Sequence, residues 1–135
     1  MKYKRVLLKV SGEALSGKTP IDFEKATETA LQIKALHDAG CLLGVVVGGG
    51  NIWRGRSGGT MDRSRADNIG MLATAMNALA LEQALIDLNV PVRVLSAVSI
   101  DMFMDSYSAR EANKSVDAGT VVIFACGSGA PFFST

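Results

Sequence analysis

Cysteine, proline and histidine are all scarce in this sequence. The two cysteines, Cys41 and Cys126, each sit beside an apolar run, and no Cys-x-x-Cys occurs. That excludes a disulfide framework and gives no spacing for a redox pair, so both read as buried thiols in a reducing compartment. Charge of one sign is also lacking. With 14 basic against 13 acidic residues, the chain has no field to gather nucleic acid or a membrane surface. Any functional cation must then act singly, from a defined position. Long apolar runs are missing too. After the basic start at residues 1–5 only Val6-Leu7-Leu8 precede Lys9, too short for a signal-peptide core. The runs at 41–47 and 121–126 are strand-sized and far below a bilayer span. A cytoplasmic protein is expected. G-x-G-x-x-G does not occur, so the dinucleotide fingerprint is absent.

What is present is a chain that is 48% hydrophobic, enough for one compact domain over 1–135 with a real core. Residues 5–10 alternate and then run apolar, which predicts a first strand. Asp22 can cap a helix carrying Phe23, Ala26, Ala30, Ile33 and His37 at helical spacing, with Gly40 where a left-handed cap is wanted. His37, near that C-terminus, reads as a cap or a dipole partner. The run at 41–47 suits a strand buried on both faces. A glycine-rich loop, 48–59, leads to a long helix expected over 65–88, with Ile69, Leu72, Ala73, Met76, Leu79, Ala80 and Leu85 as its apolar stripe. A third strand is expected at 92–95 and a fourth at 121–125. Between them, Ser108 and Glu111 have capping-box spacing and start a short helix that ends by Gly119. The six methionines fall on or beside these helices and read as core filler. The pattern β-α-β-α-β-α-β predicts an α/β fold, three layers with a mostly parallel sheet. Ligands of such sheets bind beyond the carboxyl ends of the strands. Three unusual segments follow the first, second and fourth predicted strands, so they should gather on one edge.

The first is Lys9-Val10-Ser11-Gly12-Glu13. A lysine in a buried strand is costly unless its ammonium reaches a partner or water, and Ser11 and Gly12 offer a hydroxyl and a backbone that a phosphate can approach. The plain alternative is a strand-edge lysine stretching to solvent before a turn. The second is Gly48-Gly49-Gly50-Asn51, followed by Trp53-Arg54-Gly55. Consecutive glycines can turn N–H groups to an anion, and Arg54 can add a bidentate charged contact. The alternative is a flexible surface turn, disfavoured because each glycine costs folding entropy. The third is Gly127-Ser128-Gly129-Ala130-Pro131-Phe132-Phe133-Ser134-Thr135. Its hydroxyls and flat apolar rings suit a phosphate and a base at opposite ends of one loop; by itself it also reads as an ordinary strand-to-helix turn. Asp67, near the start of the long helix, can accept hydrogen bonds from ribose hydroxyls or simply favour the helix dipole.

Four segments carry a resemblance: Lys9-Val10-Ser11-Gly12-Glu13-Ala14-Leu15, Val46-Val47-Gly48-Gly49-Gly50-Asn51-Ile52-Trp53-Arg54-Gly55, Asp67-Asn68-Ile69-Gly70-Met71-Leu72-Ala73-Thr74, and 127–135. In order and spacing they resemble the bacterial UMP kinases of the amino acid kinase superfamily, a carbamate kinase-like fold. The resemblance implies phosphoryl transfer from ATP, carried with Mg2+, to UMP, in pyrimidine nucleotide biosynthesis. It implies that Lys9, Val10, Ser11, Gly12, Gly50 and Arg54 meet ATP, with Lys9 and Arg54 catalytic. Gly49, Asp67, Ser128, Gly129, Ala130, Pro131, Phe132, Phe133, Ser134 and Thr135 would hold UMP. No residue is assigned as a metal ligand, and the family is typically a homohexamer. Threonine and asparagine are common in that family where this loop has Ser128 and Ala130, and the stretch 17–22 is short beside members activated by GTP. Family members are also longer, with an ATP-binding C-terminal part and a catalytic aspartate that these residues do not include. The domain expected here is the N-terminal part of such a kinase. Two other readings stand beside it: a non-catalytic nucleotide-binding domain, and a kinase of a carboxylate such as acetylglutamate or aspartate. A carboxylate substrate would leave Phe132 and Phe133 without a purpose.

Overall fold

The protein is described by a computed structural model, which covers residues 4–54 and 59–130. The elements run β1 (Arg5–Val10), a 3-10 turn (Gly12–Leu15), α1 (Phe23–Asp38), β2 (Leu42–Val47), α2 (Arg63–Asp87), β3 (Val92–Ser96), β4 (Asp105–Ser106), α3 (Ala109–Asp117) and β5 (Val121–Ala125). The five strands form one sheet in the order β1-β2-β5-β3-β4, and every pairing is parallel. The fourth strand expected from sequence is therefore β5. The extra strand, β4, has two exposed residues, too few to leave a periodic signal.

Alternation along each strand assigns the faces. Val6, Leu8 and Val10 of β1, Leu43, Val45 and Val47 of β2, and Val121, Ile123 and Ala125 of β5 join the main core with α1 and α2. Leu95, Val122 and the half-buried Leu42 and Phe124 face the other way, onto Ala112 and Val116 of α3. Helices on both faces give the three expected layers. Each fully buried Leu, Ile or Val contributes about 1.5–3 kcal/mol relative to exposure, so the larger cluster dominates stability. The α3 side is less complete. Leu7 there is 66% exposed, at the rim of an apolar cavity of about 380 Å³ whose walls include Val46, Leu95, Tyr107 and Phe124.

The expected caps form. Asp22 takes the Glu24 N–H at 3.0 Å, and Ser108 Oγ takes the Glu111 N–H at 3.1 Å. Gly40 and Gly119 carry the positive φ that ends α1 and α3. Arg93 ties the far edge of the sheet, donating to Asp105 and Glu111 at 3.0 Å each. His37 does not cap its own helix. Its Nε2 lies 2.8 Å from the Gly119 carbonyl oxygen, pinning the end of α1 to the turn before β5.

Helix α2 departs most from expectation. It begins at Arg63 on an Asp62 cap, and its buried face is Ala66, Ala73, Thr74, Asn77, Ala78, Leu81, Ala84 and Leu85. Leu72 and Met76, assigned to the core stripe, are 56% and 51% exposed. The helix carries apolar side chains all round, so periodicity alone does not select a face. Small residues turn inward because the sheet and α1 lie close against them. The methionine reading holds in part: Met104 is buried in the core and Met71 packs against it, while Met61, Met76 and Met102 are exposed. By length and composition α2 is apolar enough to cross a bilayer, a feature that counting uninterrupted apolar runs overlooks. Its inward face is packed in the main core against the sheet and α1.

Candidate active site

Strands β1, β2 and β5 are neighbours and parallel, so the segments after them leave the same edge side by side. Local sequence shapes each one. Ser11 Oγ accepts from the Glu13 N–H at 3.2 Å and caps the 3-10 turn that reverses the chain after β1. After β2 the Gly49 carbonyl accepts the N–H groups of Ile52 and Trp53, both at 3.0 Å, closing a tight turn. Trp53 Nε1 then donates to the Ala66 carbonyl at 3.0 Å and docks this loop on the start of α2. After β5 the chain passes through positive φ at Cys126, Gly127 and Gly129, and the Gly129 N–H returns to the Cys126 carbonyl at 3.0 Å.

The first two segments are stitched together. The Gly48 N–H bonds to the Val10 carbonyl at 3.0 Å. A Cβ on Gly12 would fall on Asn51 Oδ1 and lie 3.1 Å from the Gly50 N, so only glycine permits this approach. Arg54 donates to Glu13 at 2.7 Å across the same junction, and the Gly50 backbone runs beside the guanidinium. Arg54 stays mostly exposed, with further N–H donors for an anion. Gly49 rests on α2: a Cβ there would meet Ala73 Cβ at 2.9 Å and the Gly70 carbonyl at 3.1 Å. Gly129 rests on Ala97, just past β3, which makes the end of β3 a fourth contributor to this edge.

The sequence-derived residues fall as follows. Val10, Ser11, Gly12, Gly49, Gly50 and Arg54 are assembled in this one junction. Lys9 is at the carboxyl end of β1 but not in a buried strand: β1 is an edge strand, and Lys9 is exposed on the face shared with α3. Its charge therefore carries no burial cost, which corrects the argument from desolvation. Asp67 is half-buried in the second turn of α2 and already has an interaction partner, beside the Ala66 carbonyl that holds Trp53. Ser128, Gly129 and Ala130 form the turn after β5, with the Ala130 N–H on Ser128 Oγ at 3.3 Å. Pro131, Phe132, Phe133, Ser134 and Thr135 lie outside the described residues. Among the described residues no group of three or more His, Cys, Asp or Glu side chains could hold a metal ion.

Sequence reasoning gave no role to Glu13, Asn51, Thr74 or Asn77, which fix the loops. One signal was available. Thr74 and Asn77 are polar residues in the middle of an apolar helix, and both are buried; buried polar groups need partners. Those partners are the loops themselves.

Comparison with known proteins agrees with this architecture. UMP kinase from Ureaplasma parvum superposes with a TM-score of 0.93 and is 41% identical, over 99% of this chain and 58% of that one. UMP kinase from Bacillus anthracis superposes with a TM-score of 0.92 and is 37% identical, over 98% of this chain and 56% of that one. The chain thus spans little more than half the length of these two, and the matched part is their N-terminal half. The family model described as the amino acid kinase family matches residues 4–132. With the five-stranded parallel sheet and its helices, that places the chain in the amino acid kinase family.

Proposed function

We propose that this chain forms the UMP-binding side of a UMP kinase that transfers the γ-phosphoryl group of ATP to UMP, giving UDP and ADP. One observation carries the reading. The glycine loop after β2, the 3-10 turn after β1 and the turn after β5 leave adjacent parallel strands at one edge, in a chain 41% and 37% identical to two UMP kinases. An oxygen of the UMP phosphate attacks the γ-phosphorus as the bond to the ADP oxygen breaks, so the protein's task is to align the groups and neutralise charge. Lys9 and Arg54 supply the charge. Val10, Ser11, Gly12 and Gly50 offer backbone and hydroxyl contacts to the ATP phosphates. Gly49 and Asp67 hold the phosphate and ribose ends of UMP, and residues 128–135 wrap it. Mg2+ enters with ATP. The same reading puts the protein in the cytoplasm, in pyrimidine nucleotide biosynthesis, as a homo-oligomer.

A coupled assay of ADP release tests the reading on the protein that carries this chain, with UMP, acetylglutamate and aspartate offered in turn. ADP release that depends on UMP is expected. Turnover with a carboxylate and none with UMP would overturn it.

A further inference from the structure

Two buried polar side chains on α2 are not explained by packing. Asn77 is 0% exposed and Thr74 is 3% exposed, in a helix otherwise buried through alanine and leucine. They lie three residues apart, on one side of the helix. Asn77 Nδ2 donates to the Gly48 carbonyl at 2.7 Å and to Asn51 Oδ1 at 2.7 Å. Asn77 Oδ1 accepts from Asn51 Nδ2 at 3.0 Å, and Asn51 Nδ2 also reaches the Pro20 carbonyl at 2.8 Å. Every amide hydrogen of the pair is used. Thr74 Oγ1 donates to the Met71 carbonyl at 2.8 Å and accepts from the Cys126 N–H at 2.7 Å. Cys126 is held at φ 69°, a conformation that costs a non-glycine residue energy and persists only where its surroundings impose it. Between the two bonds Gly49 lies on Ala73 and the Thr74 N–H.

We propose that Thr74 and Asn77 are positioning residues, one seat on α2 that sets the spacing between the glycine loop after β2 and the turn after β5, and so the fit of a nucleoside monophosphate lying between them. This rests on the assignment of those two segments to UMP. Thr74 acts through the Cys126 amide at the root of residues 127–130, and Asn77 acts through Gly48 and Asn51. Neither touches the nucleotide. A seat of this kind explains why a hydroxyl and an amide are buried on a helix face otherwise made of alanine and leucine. Buried hydrogen bonds are a costly way to fill a core, but a directional way to fix two backbones.

The test compares Thr74→Val, which keeps the shape and removes the hydroxyl, with Thr74→Ser, which keeps the hydroxyl. Two quantities are read on the 135-residue chain: hydrogen exchange at the Cys126 amide, and UMP affinity by calorimetric titration. Thr74→Val is expected to speed Cys126 exchange and weaken UMP binding about tenfold, the effect of roughly one lost hydrogen bond. Thr74→Ser should restore both, whatever its melting temperature. Should Thr74→Val not fold, Thr74→Ala against Thr74→Ser makes the same comparison. Faster exchange with unchanged UMP affinity would overturn the positioning role alone. Absence of UMP binding by the unsubstituted chain would instead overturn the functional assignment, and the seat's role with it.

Discussion

Lys9 and Asp67 have opposite expected signatures. Lys9 is exposed at the end of β1 and pays nothing for its charge until a phosphate arrives. A contact that strengthens as charge develops acts on the chemical step, so in the active kinase Lys9→Ala should lower kcat far more than it raises KM for UMP. Near-normal kcat in steady-state kinetics would sink that role. Asp67 is assigned to the ribose, which is the same in ground and transition states. Asp67→Ala should raise KM for UMP and leave KM for ATP nearly unchanged; equal effects on both would mark it as a residue of the helix start. Composition and spacing singled out the segments carrying Ser11, Gly12, Gly49, Gly50 and Arg54, and the fold brings these residues to one junction. They did not identify Asn51 or Glu13, whose roles depend on partners 26 and 41 residues away.

Among the elements, the capped helices and the span of α2 were legible, and the inward face of α2 was not. Asp22 and Ser108 announce α1 and α3 because a cap is a local interaction. The inward face of α2 is set by the sheet and α1, which no window of the sequence contains. The Glu111 carboxylate in the first turn of α3 also carries a pH dependence. The guanidinium of Arg93, hydrogen-bonded to Glu111, holds that carboxyl below its ordinary value of 4.5. Because the folded-state value is the lower one, the stability it gives is present above the usual glutamate range and is lost as pH falls through the folded value. Glu111→Gln should therefore lower the melting temperature at neutral pH, and the gap to the unsubstituted chain should close in acid. A gap that stays constant down through the carboxylate range would show that the ion pair contributes nothing.

At the scale of the molecule, the sheet order β1-β2-β5 is what gathers the three segments; the β-α-β pattern was enough to expect them on one edge, but not to give the strand order. The two-residue β4 and the partly open α3 face were not legible, since neither leaves a periodic pattern. The matched UMP kinases continue well beyond the region shared with this chain. By itself the 135-residue polypeptide is therefore expected to bind UMP no more than weakly, without UMP-dependent ADP release; turnover well above a Lys9→Ala control would show that these residues suffice for catalysis. The most direct measurement is a UMP titration of this chain followed by backbone amide resonances. The account predicts shifts concentrated at Gly49, Asp67 and residues 127–130, with little change at the far end of the sheet around Asp105 and Glu111. Shifts that avoid those loops, or none at saturating UMP, would contradict it.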